Sequence, residues 1–365
     1  MRRVTLLLLI LLFYACVQQG IVRPVSVLVP PKIKINSPVA VIPFKGNPKY
    51  AQMVTAKIEE YLSTARVNGR LFYRVLERER LDALLKEIEL GQLGIVDEQT
   101  AAKAGRMVGA SSVIVGKVIY ANVEDMGISE SRSQCIKRKK KASDLERILG
   151  LDCEKSIRYF VPCVKRKAHF SISYKVVDVE SAQVIYADHI ETTSDESKAC
   201  NETIKIKEHA DPDIEIIRSI LFSNRGSQLQ DKDDALMQAF TRAMRQVYTS
   251  IVPHTMILKV RFKSSDEKSP SWVQESLSSG IKWIENDRVD RACRMWNEVY
   301  SKYPYSVALI YNLGVCSELS GDLKKALKMY EQADSMVTEP DKDINSALNR
   351  IRRRIREKEK LRTMM

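Results

Sequence analysis

The chain has 365 residues, 59 Lys and Arg against 46 Asp and Glu for a formal charge of +13, and 44% hydrophobic residues. That apolar share fills one or two cores and excludes a wholly disordered chain, a collagen-like repeat and a disulfide-dense miniprotein. The longest apolar run, Leu6 to Ala15, is about ten residues, half of the roughly 20 that a membrane-crossing helix needs, which argues against an integral helical membrane protein. A closed strand barrel has a weaker signal per segment and must be judged on its loops.

Residues 1–16, MRRVTLLLLILLFYAC, combine a basic start (Arg2, Arg3), a short apolar stretch and a small residue at a cleavage point, Ala15, directly before Cys16. That order resembles a bacterial lipoprotein signal, although Phe13 and Tyr14 are bulkier than the usual residues there. The resemblance implies a signal peptide over 1–15 and lipidation of Cys16, with palmitate-type acyl chains as the only covalent cofactor. An ordinary secretory signal with an incidental cysteine is the alternative. Two or three acyl chains give durable anchoring. Val17 follows the cysteine where Asp would signal inner-membrane retention, so the outer membrane is expected, on either its periplasmic or its surface face.

Residues 16–37 hold three prolines and no helical period and read as a tether or an edge strand. VAVIPF at 39–44 reads as a buried strand. Val54, Ile58, Tyr61, Leu62 and Ala65 fall at helical spacing within 49–66, and LFYRVL at 71–76 returns as a strand. Leu81, Leu84, Leu85 and Ile88 form one helix face, Asp97 opens a short helix to Val108, and 111–123 is a third strand. HFSISYKVVDV at 169–179 alternates Phe170, Ile172, Tyr174 and Val176, then turns through ESAQ into VIYADHIETT as a hairpin. Leu236, Phe240, Ala243 and Val247 give a closing helix. Strands alternating with helices and ending in a hairpin predict a mixed α/β sheet flanked by helices over 38–252.

VAVIPF, FYRVLERERLDALLKEIELGQLG, DEQTAAKAGRMVGASSVIVGKV and YKVVDVESAQVIYA, in that order, resemble the CsgG-type domain, which includes the curli secretion channel and a lipoprotein activator of a penicillin-binding protein. The resemblance implies an envelope lipoprotein that assembles or regulates something, with no catalytic residue. Leu81, Leu84 and Leu85 would pack a helix on the sheet, and Gly91, Gly94, Gly105 and Gly109 would permit tight connections. Channel members thread membrane strands after the third strand and after the hairpin. Here the first such region is a basic, cysteine-containing insertion at about 124–168, and 132–167 holds 12 basic residues against four acidic. A charge facing lipid near the bilayer midplane costs about 2–4 kcal/mol, so no barrel is expected from it, nor from the polar 191–213. Lys137, Arg138, Lys139, Lys140, Lys141, Lys165, Arg166 and Lys167 read instead as a contact for anionic lipid, lipopolysaccharide or an acidic partner, or as a solvated loop. Nucleic acid is not expected, because no aromatic residues interleave the basic ones at a regular interval.

Cys135, Cys153, Cys163 and Cys200 cluster in and after the insertion, and in an oxidising compartment they permit two disulfides in any of three pairings. Their spacings of 18, 10 and 37 contain no C-x₂-C pair, which weighs against metal. Cys293 and Cys316 fall on apolar helix faces and read as buried thiols.

After a linker strand, MILKVRF within 253–270, a 34-residue repeat begins. Gly280, Ala292, Trp296 and Pro304 align with Gly314, Ala326, Tyr330 and Thr338. That period with A-x₃-aromatic pairs is similar to the tetratricopeptide pattern, so 271–365 is expected to be an all-α two-repeat domain. Its packing positions are Gly280, Trp283, Ala292, Trp296, Pro304, Leu313, Gly314, Ala326, Tyr330 and Ala333. The helix from Ile344 to Leu361 caps it, and RIRRRIREKEK reads as a solvated face. Such arrays imply a protein partner.

No G-x-S-x-G, P-loop, dinucleotide fingerprint or H-E-x-x-H spacing occurs, and His169 and His189 could meet across the hairpin only as ordinary strand residues. The sequence therefore predicts a non-enzymatic, outer-membrane-anchored scaffold or regulator working by protein contacts. A subunit of an oligomeric CsgG-type secretion channel, and with it a homo-oligomer, is the alternative. A surface lipoprotein binding a small haem-type ligand is a third reading.

Overall fold

The computed structural model describes residues 21–76, 98–200 and 229–365. These form two units, 33–252 and the residues up to Lys32 together with Pro253–Met365. The signal and Cys16, the helix face around Leu84, Gly91, Gly94, Asp97 and His209 lie outside the described residues. Among the described residues no helix is long and apolar enough to cross a membrane.

Strand β1 (Val22–Val29) belongs to the second unit. In the first, β2 (Val39–Val41) leads into α1 (Pro48–Thr64), the short pair β3 (Arg66–Val67) and β4 (Arg70–Leu71), and then α2 (Glu98–Val108). There follow β5 (Ser112–Arg138), α3 (Asp144–Ile148), β6 (Cys153–Asp178), β7 (Val184–Thr193), β8 (Ser197–Cys200) and α4 (Lys232–Ile251). The sheet runs β2-β5-β6-β7, with β8 pairing β6 as well; β2 is parallel to β5 and the other pairs are antiparallel. This is the mixed α/β sheet expected from the alternation of elements.

Local sequence explains the helices. Asn47 accepts the Tyr50 amide ahead of Pro48, and Asp231 accepts the amides of Asp233 and Asp234, satisfying donors that a helix start leaves open. Val54, Ile58 and Leu62 on α1, and Leu236, Phe240, Ala243 and Val247 on α4, pack on Phe170, Ile172, Tyr174 and Val176 in one core. A smaller core on the other sheet face joins Ala101, Ala102 and Ala104 of α2 to Val113, Val115 and Val177. Gly105 is required there, since a Cβ would lie 2.6 Å from both Val113 and Val179.

LFYRVL forms less strand than its composition predicts: only Leu71, at the end of β4, with an isolated bridge from Val75 to Val39. The insertion differs more. Its two sides continue β5 and β6 as one long antiparallel ribbon, register-matched from Glu124 with Lys167 to Arg138 with Cys153. It is neither a loose loop nor a stretch lacking strands, because backbone pairing needs no apolar side chains.

In the second unit β1 pairs antiparallel with β9 (His254–Arg261), from Val22 with Arg261 to Val29 with His254. Of the tether and edge-strand readings of 16–37, the edge strand holds over these eight residues. Five helices follow, α5 (Ser271–Glu285), α6 (Val289–Lys302), α7 (Val307–Leu319), α8 (Leu323–Ser335) and α9 (Lys342–Met364). Trp296 and Tyr330 are fully buried at equivalent places in the hairpins α5–α6 and α7–α8. A Cβ at Gly280 would lie 2.3 Å from the Trp296 ring, and one at Gly314 would lie 2.6 Å from the Tyr330 ring. The 34-residue repeat is thus a repeated aromatic-on-glycine contact.

Candidate functional site

A concave cavity of about 460 Å³ opens between α6, α7 and α8. Cys293 and Cys316 line it, with Arg294, Asn297, Glu298, Leu313, Ser317, Asp322, Lys325 and Met329 among the other wall residues. The two cysteines, read from sequence as buried thiols, form a disulfide with Cα atoms 5.9 Å apart that ties α6 to α7. Both are half-buried in the wall of the cavity, and nothing in their separation of 23 residues announces the pairing. The walls carry both charge signs and a thioether, a surface suited to a mixed polar and apolar segment.

Behind the cavity α7 carries Glu318, fully buried. Arg350 donates to both its carboxylate oxygens, at 2.9 and 2.8 Å, Arg354 donates at 2.8 Å, and the Tyr330 hydroxyl donates at 2.7 Å. Burial alone would raise the Glu318 carboxyl, but the hydrogen bonds and charge of Arg350, with Tyr330 and Arg354, outweigh it and hold the carboxyl below its ordinary value. This overturns the reading of the RIRRRIREKEK run as wholly solvated. Arg350 and Arg354, four residues apart on one helix face, point inward, while Arg352 and Arg353 stay half exposed.

The remaining repeat residues sit as follows. Ala292, Ala326 and Ala333 are fully buried, and Leu313 is buried. Trp283 is partly buried under the Arg291 guanidinium, 3.8 Å from its ring centre. Pro304 lies in the α6–α7 connection, between Tyr303 and Tyr305, whose rings meet at 5.5 Å.

The ribbon of the first unit divides the basic residues that the sequence groups together. Lys165, Arg166 and Lys167 lie at its base, opposite Met126, Asp125 and Glu124, while Lys137 to Lys141 lie at its tip, ~40 Å along at about 3.3 Å per residue. Several are already paired: Lys137 with Glu154 at 2.9 Å, Arg138 with Asp152 at 2.9 Å, Lys139 with Glu146 at 4.0 Å, and Lys165 with Glu196 at 2.8 Å. Arg166 forks onto Asp125 at 2.6 and 2.7 Å, and that hydrogen-bonded pairing holds the Asp125 carboxyl down to about 2. Lys140, Lys141 and Lys167 form no ion pair among the described residues.

Of the three cysteine pairings left open by sequence, the structure has Cys135–Cys153 near the tip and Cys163–Cys200 between β6 and β8. Glu130 lies beside the second, its carboxylate held by Lys198. With both sulfurs in a disulfide this trio offers no thiolate to a metal. His169 and His189 do not meet. They face Thr193 and Ser173, four residues apart along β6, and contact Glu124 at 3.6 Å and Ser171 at 3.4 Å.

A three-layer α/β domain carrying an extended ribbon, joined in sequence to a helical-hairpin unit with a groove, defines the class of protein. Residues 23–271 match the family model described as Curli production assembly/transport component CsgG, so the chain belongs to that family. The match begins in β1 and ends at the start of α5, which adds the β1–β9 pair to the span suggested by the motifs. No curated protein matches the chain. Similar solved structures include the lipoprotein GNA1162 from Neisseria meningitidis, 10% identical over 51% of this chain and 94% of that one, TM-score 0.25. Another is the PelC dodecamer from Paraburkholderia phytofirmans, 13% identical over 64% and 99%, TM-score 0.23. The family assignment rests on the 23–271 match and not on these likenesses.

Proposed function

We propose that the protein is an outer-membrane-anchored, non-enzymatic lipoprotein in which the helical unit captures a protein segment in the α6–α8 groove. The repeated glycine–aromatic packing supports a tetratricopeptide-like reading of that unit. The groove itself carries the proposal, because it is a concave, disulfide-braced surface with polar and apolar walls. Acyl chains on Cys16 would confine the groove to the membrane face, and confinement raises a partner's effective concentration without any new contact.

The test is site-specific photo-cross-linking in living cells from Asn297 and Met329, which line the groove, and from exposed Arg356, which does not. A defined adduct from the two groove positions and none from Arg356 is expected. Equal labelling from all three would defeat the groove as the binding face.

One observation favours the channel alternative. Along 124–138 the outer edge of β5 has no strand partner among the described residues, and open edges can pair with a neighbouring copy. The two readings part on the number of chains per particle.

A further inference from the structure

We propose that the tip of the β5–β6 ribbon is a preformed docking surface for an anionic phospholipid bilayer. It inserts side chains into the interface and does not span the membrane. This goes beyond partner capture by the groove and concerns the other unit. Leu145, Leu149 and Leu151 are 67%, 51% and 61% exposed within seven residues of chain. Their exposure does not come from a failure to fold. Ser143 and Glu146 close a reciprocal capping box on α3, and the Lys139 amide donates to the Asp152 carbonyl at 2.8 Å. Arg138 pairs with Asp152, and the Cys135–Cys153 disulfide closes the strands just below. Four local constraints hold a turn that presents three leucines to solvent, whereas a turn built only to connect strands is normally polar.

Charge names the occupant. At the tip Glu146, Asp152 and Glu154 are each engaged by a lysine or arginine of the same turn. Lys140, Lys141, Arg147 and Lys155, in the turn or beside it, form no ion pair among the described residues. Exposed leucines and unpaired cations carried on one short turn suit a surface that is apolar a few ångströms down and anionic on top, which is a bilayer carrying acidic headgroups. An acidic protein would leave the leucines without a matching apolar layer unless it carried one of its own. Spanning is disfavoured because the cations of the tip would have to pass through the hydrocarbon core.

The test uses the full chain carrying Cys16→Ser, so that no acyl chain contributes and the anchor reading is judged separately. Its partition is measured by co-sedimentation with vesicles of phosphatidylcholine alone and with 30% phosphatidylglycerol. Binding to the acidic vesicles alone is expected. Leu145→Ser/Leu149→Ser/Leu151→Ser should weaken it at least tenfold, and Lys140→Glu/Lys141→Glu should weaken it about fivefold per lost cation. Arg353→Glu/Arg356→Glu on α9 should leave it unchanged. An intact Cys135–Cys153 bridge in unreduced peptide maps confirms that the variant tips have folded. No binding to acidic vesicles would overturn the proposal, as would a triple-serine variant that binds as the parent does. Equal loss from the α9 variant would show diffuse attraction to the whole cationic chain.

Discussion

Replacing Glu318 by Gln tests the buried charge cluster behind the groove. The amide keeps the size of the side chain but removes its charge, leaving Arg350 and Arg354, only 12% and 11% exposed, as unmatched buried cations. Stranding such a charge costs about 3–5 kcal/mol. The triple variant Glu318→Leu/Arg350→Met/Arg354→Met removes the charges together and should cost far less, because desolvating the ion pairs consumes most of their mutual attraction. All three tryptophans, Trp272, Trp283 and Trp296, lie in the helical unit. Tryptophan emission during urea unfolding therefore reports on that unit, and linear extrapolation gives the free energy. A Glu318→Gln penalty below ~1 kcal/mol, or a triple variant as damaged as the single one, would show that Glu318 does not offset the buried arginines. The pH dependence has a definite sign. Because the folded carboxyl lies below its ordinary value of about 4.3, its contribution is complete above that pH and is lost as pH falls through the folded value. The gap between parent and Glu318→Gln should narrow in acid and stay constant from pH 6 to 8.

Gly314→Ala should destabilise the helical unit by about 1–3 kcal/mol in the same urea assay, since the added Cβ meets the Tyr330 ring and that hydroxyl is tied to Glu318. Cys293→Ser/Cys316→Ser frees a loop of sequence separation 23 and should cost about 3 kcal/mol by chain entropy, again read from tryptophan emission. Carboxyl NMR should find Asp125 titrating near 2 in the parent and higher in Arg166→Gln, where Lys232 stays beside it at 3.4 Å. An unmoved Asp125 in that variant would show that Arg166 is not the cause.

The fold class was legible because its core elements carry strong periodicity. Val54, Ile58 and Leu62, and the alternating Phe170, Ile172, Tyr174 and Val176, each mark one buried face. The ribbon was not, for a physical reason. Ser129, Ser131 and Ser133 alternate with Glu130, Arg132 and Gln134, so β5 shows no contrast between an apolar and a polar face, and only its backbone register reveals it. The groove was half legible. Gly280, Trp296, Gly314 and Tyr330 stand at the right interval, but nothing in the interval says that Cys293 and Cys316 meet. The Glu318 cluster was hidden because a run rich in arginine looks uniformly solvated until a carboxylate on another helix selects the i and i+4 members.

Light scattering on the detergent-extracted mature protein, with detergent mass subtracted, separates a tethered partner-capturing protein from a pore. A tethered partner-capturing protein has one or two chains per particle. A closed ring of many chains would contradict it, and would assign the open β5 edge to contacts between copies.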